Sequence, residues 1–486
     1  MQTIDINTTS KLTPITKPWM TDLMSNQVVL NELIAKYGSP INIHNLKKFS
    51  ENIQNFKDVF SYYNIQHQIY YARKANKTKA LAKQALADDV GIDTASYNEL
   101  KQAVDLGGKD TSVVLTSAIK TEEQISLAIA NEVTIIIDND DECQLVNSIA
   151  KSKSKKAKIG FRVSGFVIDG KKLYSRFGFD VDTVVNYIKD NVGSDKNYDS
   201  LTVVGLHFHL DGYSIEHRGL AAIECMTIAK MLRNALYPIT FVDMGGGILI
   251  NYLKEESQWN TFKDQLIQQT ILEQEHLTFK GDGLGFTKEE DKVYGKLNTY
   301  PYYNSVNGTN FLKEVLETRH PITQVSVAKM AKENDIELRI EPGRSLLNGV
   351  GITVAKVAHR KKDSKGQHLV GLEMNMTQMK TSSADYLVDP YVLYNNAEDK
   401  KIENSNPVDV YFTGAYCLER DIILKRKISL PKLPEVGDLV VFVNTAGYFM
   451  HFFETEAHLF ELSKNLIYAP EKRVSLLNFM DDERIV

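Results

Sequence analysis

Cysteine is scarce: Cys143, Cys225 and Cys417 are the only three in 486 residues, and they lie far apart. That number and spacing exclude a disulfide framework and a cysteine-based zinc site, and they fit a reducing compartment. Long apolar runs are missing too. No stretch approaches the ~20 apolar residues that a membrane-spanning helix needs. The opening, MQTIDINTTSKLT, has neither the basic start nor the apolar core of a secretory signal. An excess of one charge is also absent. With 57 basic and 62 acidic residues the net charge is −5, and the two signs are interleaved, so no basic stripe offers itself to a phosphate backbone. These absences argue against nucleic acid and membrane as partners and predict a soluble, cytoplasmic protein.

What is present is ordinary globular material, 43% hydrophobic and 24% charged. A single core stops growing near ~250–300 residues, so more than one domain is expected. After a polar leader over 1–25 and a short helix over 28–37, an extended piece at 41–45 stands before any repeating pattern. From Gln68 the chain alternates between short apolar runs and amphipathic helical ones. Strands are predicted at 69–73, 90–94, 113–116, 134–138, 158–163, 202–208, 239–243 and 337–341. That alternation implies an α/β fold with a parallel sheet, and the count of eight units is that of a (β/α)₈ barrel. An open doubly wound sheet is the alternative, since periodicity does not show closure. After Gly349 helical periodicity gives way to short alternating runs, at 351–358, 367–372, 408–413 and 439–443, which predict an antiparallel β domain.

The expected organisation is therefore a leader over 1–46 whose strand joins the second domain, a barrel over 47–348, and a β domain over 349–486. The barrel is interrupted by a polar insertion at about 252–310, read as a lid or interface element. Its tyrosines, Tyr300, Tyr302 and Tyr303, read as surface packing or as substrate contacts.

The chemistry-bearing residues fall where strands end, the place where barrels keep their reacting groups. Lys74 closes the aromatic strand Tyr70-Tyr71-Ala72-Arg73; Asp93 with Ser96, Asp138, Arg162, His209, Gly245-Gly246-Gly247 and Glu341 close others. Taken singly, each has a plain structural explanation. Lys74 reads as a solvated loop charge, Arg162 as a salt-bridge partner and His209 as a satisfied core histidine. The glycine run after Asp243-Met244 is either a tight turn or a set of backbone N–H groups converging on an anion such as phosphate.

Five segments in order carry a resemblance. They are Tyr71-Ala72-Arg73-Lys74-Ala75-Asn76, Gly205-Leu206-His207-Phe208-His209, Asp243-Met244-Gly245-Gly246-Gly247, Glu341-Pro342-Gly343-Arg344-Ser345 and Gly414-Ala415-Tyr416-Cys417. Together they resemble the fold-type III pyridoxal-phosphate decarboxylases, the group of the diaminopimelate, ornithine and arginine decarboxylases, with alanine racemase more distant. The resemblance runs from about Tyr37 to about Phe460. It implies an alanine racemase-like barrel plus β domain, pyridoxal 5′-phosphate as cofactor, and decarboxylation of a small-molecule amino acid to its amine. By resemblance Lys74 is the lysine that binds the cofactor covalently, a role suited to an amine with an adjustable pKa. His209 matches the histidine that stacks on the cofactor ring, and Glu341 the acid that keeps the ring nitrogen protonated. Gly245, Gly246, Gly247 and Arg344 match the phosphate cradle, Tyr448 the tyrosine that reaches the phosphate, and Asp93 and Arg162 residues that support the cofactor. Cys417 matches a cysteine contributed across a head-to-tail homodimer, where it helps to protonate the carbon that has lost carbon dioxide. No metal is implied.

Two departures stand out. The family's His-x-Gly-Ser becomes His209-Leu210-Asp211-Gly212-Tyr213-Ser214, which alters one phosphate contact. Members that act on diamino acids carry an acid directly after the cysteine; here that position is Leu418, and the nearest acids are Glu419 and Asp421. Leucine cannot pair with an ammonium, so beside a diaminopimelate- or ornithine-like substrate a larger or conjugated diamino acid of specialised metabolism is expected, which fits this position and the insertion better. A racemase of the same fold and a catalytically silent paralogue are the alternatives. Cys417 argues against the first, and the retained Lys74, Glu341, Arg344 and Cys417 against the second.

Overall fold

Apolar strands alternating with helices can bury both faces in a barrel or in an open sheet, and pairing decides between them. The computed structural model describes residues 9–381, 384–395, 407–471 and 474–484. In it eight parallel strands close on themselves: His67–Ala72, Gly91–Thr94, Val113–Leu115, Thr134–Ile137, Ala157–Ser164, Leu201–His207, Phe241–Asp243 and Glu337–Ile340. Each pairs with the next, and the ring closes where Leu338, Arg339 and Ile340 meet His67, Gln68 and Ile69. The open-sheet alternative is excluded. All eight strands lie within two residues of their expected positions.

The barrel interior is filled, not hollow. Tyr70, Val114, Ile136 and Phe241 pack together inside it, and glycine makes the room: a Cβ on Gly205 would lie 2.3 Å from the Phe241 ring. Arg339 lies over the same ring with Cζ 3.5 Å from its centroid, a cation–π contact that occupies the remaining space. A filled interior leaves the C-terminal mouth as the place where functional side chains can gather.

The second sheet is built mainly from the chain after Gly349, but the strand Ile41–His44 lies within it. That strand runs antiparallel to Gly351–Lys362 on one side and parallel to Lys464–Tyr468 on the other. A second parallel pairing joins His368–Leu372 to Val408–Thr413, so the sheet is antiparallel with two parallel exceptions.

Two expectations are corrected here. The stretch read as a polar leader contains the helix Pro18–Ser25, which buries Trp19, Met20, Leu23 and Met24 against Ile41, Ile43 and strands of the second sheet. Residues 1–8 lie outside the described residues. The insertion, expected to have some structure of its own, contains the helix Glu256–Leu272 and a hairpin of Phe286–Glu289 with Lys292–Gly295; it is its tyrosines that depart from expectation. Trp259, Phe262 and Leu266 of that helix join Val370, Phe412 and Phe442 in one core. Tyr300 and Tyr302 are 2% and 0% exposed, so their reading as surface packing does not hold.

Candidate active site

The strand His67–Ala72 ends in a single 3₁₀ turn, Arg73–Ala75, stopped by Asn76. The Asn76 side chain accepts from Thr78 N at 2.9 Å and donates to Ala446 O at 2.9 Å. Tyr448 N donates to Ala75 O at 2.8 Å, so the turn that carries Lys74 is tied to the second sheet. Lys74 Nζ lies 2.8 Å from Asp93 Oδ2, and Asp93 also accepts from Thr116 Oγ1. Burial opposes the ammonium, but Asp93 and then Glu341 more than offset it and hold the Lys74 pKa above the ordinary lysine range. Ser96, noted beside Asp93, is a helix cap whose Oγ accepts from Glu99 N.

Glu341 follows the strand Glu337–Ile340 and is 4% exposed. Its Oε1 lies 3.2 Å from His207 Nε2. Burial raises its pKa, while Lys74 and Arg162 pull in the other direction. His209 Nδ1 accepts from Gly246 N at 3.3 Å. Burial, with Lys74, Arg218 and Arg162 nearby, pushes its pKa well below the usual histidine value, so the ring is neutral.

The glycine run is required by close approach. A Cβ on Gly245 would lie 2.8 Å from His209 Nδ1, one on Gly246 2.7 Å from Glu341 O, and one on Gly247 2.6 Å from Arg218 Nη2. Two of the three amides are committed inward, Gly245 N to Asp243 Oδ1 and Gly246 N to His209. Gly247 is the member that borders the cavity.

That cavity, of about 380 Å³, is bordered by Lys74, His209, Gly247, Arg344, Ser345 and Tyr448 among others. Arg344 donates to Tyr252 Oη at 2.7 Å and Gly447 O at 3.1 Å, with Thr381 Oγ1 at 3.3 Å, and lies 4.4 Å over the Tyr300 ring. Tyr252 and Tyr300 belong to the insertion region, which therefore forms part of the wall behind Arg344. Tyr448 has φ of 72°, a left-handed backbone that a bulky side chain adopts only when its surroundings enforce it.

Arg162 is largely buried, with Nη1 4.0 Å from Asp138 Oδ1 and its guanidinium 4.1 Å from the Phe177 ring centroid, and its charge acts on Glu341 and Asp93. Cys417 is not brought to this cavity within the chain; it is exposed, as is Leu418. Asp421 is spent on structure: its carboxylate accepts from Met376 N and Tyr416 N, each at 2.7 Å.

Sequence reasoning left His207, Asp243, Tyr252 and Arg218 without roles. The first two stood inside quoted motifs, as polar residues closing apolar strands, and that was the available signal. Arg218 donates to Met244 O at 3.0 Å and lies against Gly247, a contact across a helix that spacing does not reveal.

The residues fit pyridoxal phosphate. An amine stands opposite a buried acid, a neutral imidazole borders the same space, and Ser345 Oγ on the cavity wall is buried without a hydrogen-bond partner among the described residues, as sites for polar ligands are. Residues 46–285 match the family described as pyridoxal-dependent decarboxylase, pyridoxal binding domain. The chain belongs to the fold-type III pyridoxal-phosphate decarboxylases. Its cofactor is pyridoxal 5′-phosphate and its reaction class is amino-acid decarboxylation.

Relatives of this decarboxylase agree along most of its length. It is 29% identical to an uncharacterized protein, y4yA, of Sinorhizobium fredii, covering 92% of each chain. It is 24% identical to the diaminopimelate decarboxylase of Bacillus methanolicus, covering 86% of each. Among solved structures, diaminopimelate decarboxylase from M. jannaschii superposes with a TM-score of 0.67 at 19% identity, covering 93% of this chain and 91% of that one. Lysine/ornithine decarboxylase from Vibrio vulnificus superposes at 0.63 and 16% identity, covering 93% and 99%. No helix among the described residues of the decarboxylase is long and apolar enough to cross a membrane.

Proposed function

We propose that the substrate is a conjugated amino acid whose far end carries carboxylate in place of a free ammonium, and that it is decarboxylated in the cytoplasm by a head-to-tail homodimer with shared active sites. The observation that carries this reading is the state of the loop after Cys417. Leu418 takes the place of the acid that grips a distal amine, and the carboxylate of Asp421 is already bound to two backbone N–H groups.

A second cavity supports the same reading. About 610 Å³ of space lies between the insertion and the loops 376–380 and 419–425, bordered by Lys280, Lys380 and Arg420. None of these three cations is in an ion pair among the described residues; of the two acids in the same wall, Asp282 is paired with Lys425 at 2.7 Å and Glu419 is outnumbered by the three cations. Phe279, Met376 and Ile423 supply apolar surface beside the charges. Unpaired cations over an apolar floor suit a carboxylate-bearing group. The two cavities share no lining residue but are linked along the chain: Lys380 borders the one, and its neighbour Thr381 contacts Arg344 of the other.

In this mechanism Lys74 is the residue that would hold the cofactor through its amine, and Asp93, 2.8 Å away, orients that amine. Bound there, pyridoxal phosphate supplies an electron sink for the pair left when the carboxylate departs as carbon dioxide. His209 and Tyr448 confine the reacting centre, and Glu341 is the acid available to the ring nitrogen. Cys417 of the partner subunit gives the Sγ proton to the former α-carbon, so one proton replaces one carboxylate.

Mass spectrometry of products made in heavy water tests the proposal, using free diaminopimelate, ornithine and lysine beside the same diamino acids acylated on the distal amine with a dicarboxylic acid. Loss of the carboxylate with gain of one deuterium, confined to the acylated substrates, is expected. Robust turnover of free diaminopimelate would sink the conjugate reading. Deuterium at Cα with the carboxylate retained would make the protein a racemase, and a purified protein that takes up no cofactor would revive the silent-paralogue reading.

A further inference from the structure

Behind Glu341 lies a cluster that the reaction as described does not use. His207, Asp243 and Glu341 each contribute an atom to a group whose members all lie within 4.8 Å of one another. The three are 1%, 0% and 4% exposed. Among the described residues, both ring nitrogens of His207, Asp243 Oδ2 and Glu341 Oε1 have no hydrogen bond of good geometry, although His207 Nε2 is 3.2 Å from Glu341 Oε1. Buried polar atoms left over on three adjacent residues are costly, and the 3.2 Å approach of His207 Nε2 to Glu341 Oε1 is the pair in the cluster placed to offset part of that cost.

The number of protons in such a cluster follows from its neighbours. Two carboxylates this close and this buried cannot both ionise cheaply. Asp243 faces Glu341, Arg339 and Asp93 and accepts one bond from Gly245 N. Burial and the Glu341 charge push its carboxyl well above the usual range. Glu341 faces Lys74 and Arg162, two cations that favour its ionised form. His207 faces Arg162, Asp93, Lys74 and Lys120, and burial first, then Arg162, keeps it neutral.

We propose that His207 and Asp243 are positioning residues that fix the charge of Glu341: Asp243 retains its proton, neutral His207 donates Nε2–H to Glu341 Oε1, and the single negative charge of the cluster resides on Glu341 opposite the cofactor ring nitrogen. The ionised acid keeps that nitrogen protonated, and the proton held on Asp243 is what prevents the negative charge from being drawn away from Glu341. This rests on the reading of Glu341 as the acid that serves the ring.

Infrared spectroscopy of the holoenzyme at neutral pH reads the proton directly. A protonated-carboxyl band is expected that disappears in Asp243→Asn and survives in Glu341→Gln. Survival of the band in Asp243→Asn overturns the assignment. The visible absorbance of the bound cofactor, followed against pH, gives a second readout. His207→Phe removes the donor, raises the Glu341 pKa and so should lower the ring-nitrogen transition by about one unit or more, whereas Asp243→Asn, which keeps a neutral group in place, should move it by less than about 0.3 unit. His207→Gln restores a donor and should recover most of the shift, which a merely structural histidine would not require; it also covers a failure of His207→Phe to fold. An unshifted transition in both His207 variants would overturn the role of His207. If the wild-type protein shows normal cofactor spectra and turnover while these results fail, the error lies in the cluster; if it binds no cofactor at all, the error lies in the reading of the site.

Discussion

Lys74 Nζ and Asp93 Oδ2 stand 2.8 Å apart at the mouth of the barrel, an ion pair formed by the one amine that has to become neutral for cofactor capture. Asp93 therefore guards Lys74 as an ammonium until the cofactor arrives. Asp93→Asn should lower the Lys74 pKa and move the pH profile for capture of pyridoxal phosphate by the apoprotein downward by about one unit or more. Stopped-flow absorbance measures it, and an unmoved profile would contradict the pairing. Lys74→Ala should abolish both turnover and the cofactor's absorbance.

Sharing of active sites across a dimer has a quantitative signature. Lys74→Ala and Cys417→Ala should each be inactive alone. Mixed and allowed to exchange subunits, they should recover about a quarter of wild-type activity, since half the dimers are hybrids with one intact site. No recovery after demonstrated exchange would place Cys417 outside the partner's site.

Gly246 permits the backbone of the glycine loop to rest on Glu341 O. Gly246→Ala adds a Cβ 2.7 Å from that oxygen, and overpacking of this kind costs about 1–3 kcal/mol. A lower melting temperature together with weaker cofactor binding in a fluorescence titration is the expected result.

Acid should destabilise the fold through buried histidine. His44 is fully buried, and burial lowers its pKa to about 4. Its folded pKa lies below the unfolded value near 6.5, so the stability that comes from keeping it neutral is fully present above ~6.5 and lost as pH falls toward about 4, reaching about 3 kcal/mol there. Urea unfolding between pH 7.5 and 4.5 should show the decline, and His44→Gln should flatten it.

The barrel was legible because its strands are continuous apolar runs bounded by helices; Lys74, Asp93, His209 and Glu341 were visible as polar ends of such runs, each with a plain structural explanation taken singly, and the ordered motifs around them supplied the rest. The contacts behind Arg344 were not legible. Tyr252 and Tyr300 reach it from 92 and 44 positions away in sequence, and no local pattern encodes a meeting over that distance. The helix Pro18–Ser25 was missed for a related reason: its apolar residues sit among lysines, threonines and prolines, and only the second sheet gives them a surface to cover. His207 and Asp243 were visible as polar ends of strands, but their convergence depends on how neighbouring strands are aligned across the barrel.

The strand Ile41–His44 is made before either of its neighbours, Gly351–Lys362 and the parallel strand that begins at Lys464. At ~5–20 residues per second these leave the ribosome about 15–60 s and about 20–80 s later. During the first interval the nascent chain carries an apolar strand with two open edges, and until Lys464 emerges one edge stays open, beside a barrel able to assemble first. The enzyme is thus exposed to a waiting period that a rearranged gene, with this strand encoded after the barrel, would shorten.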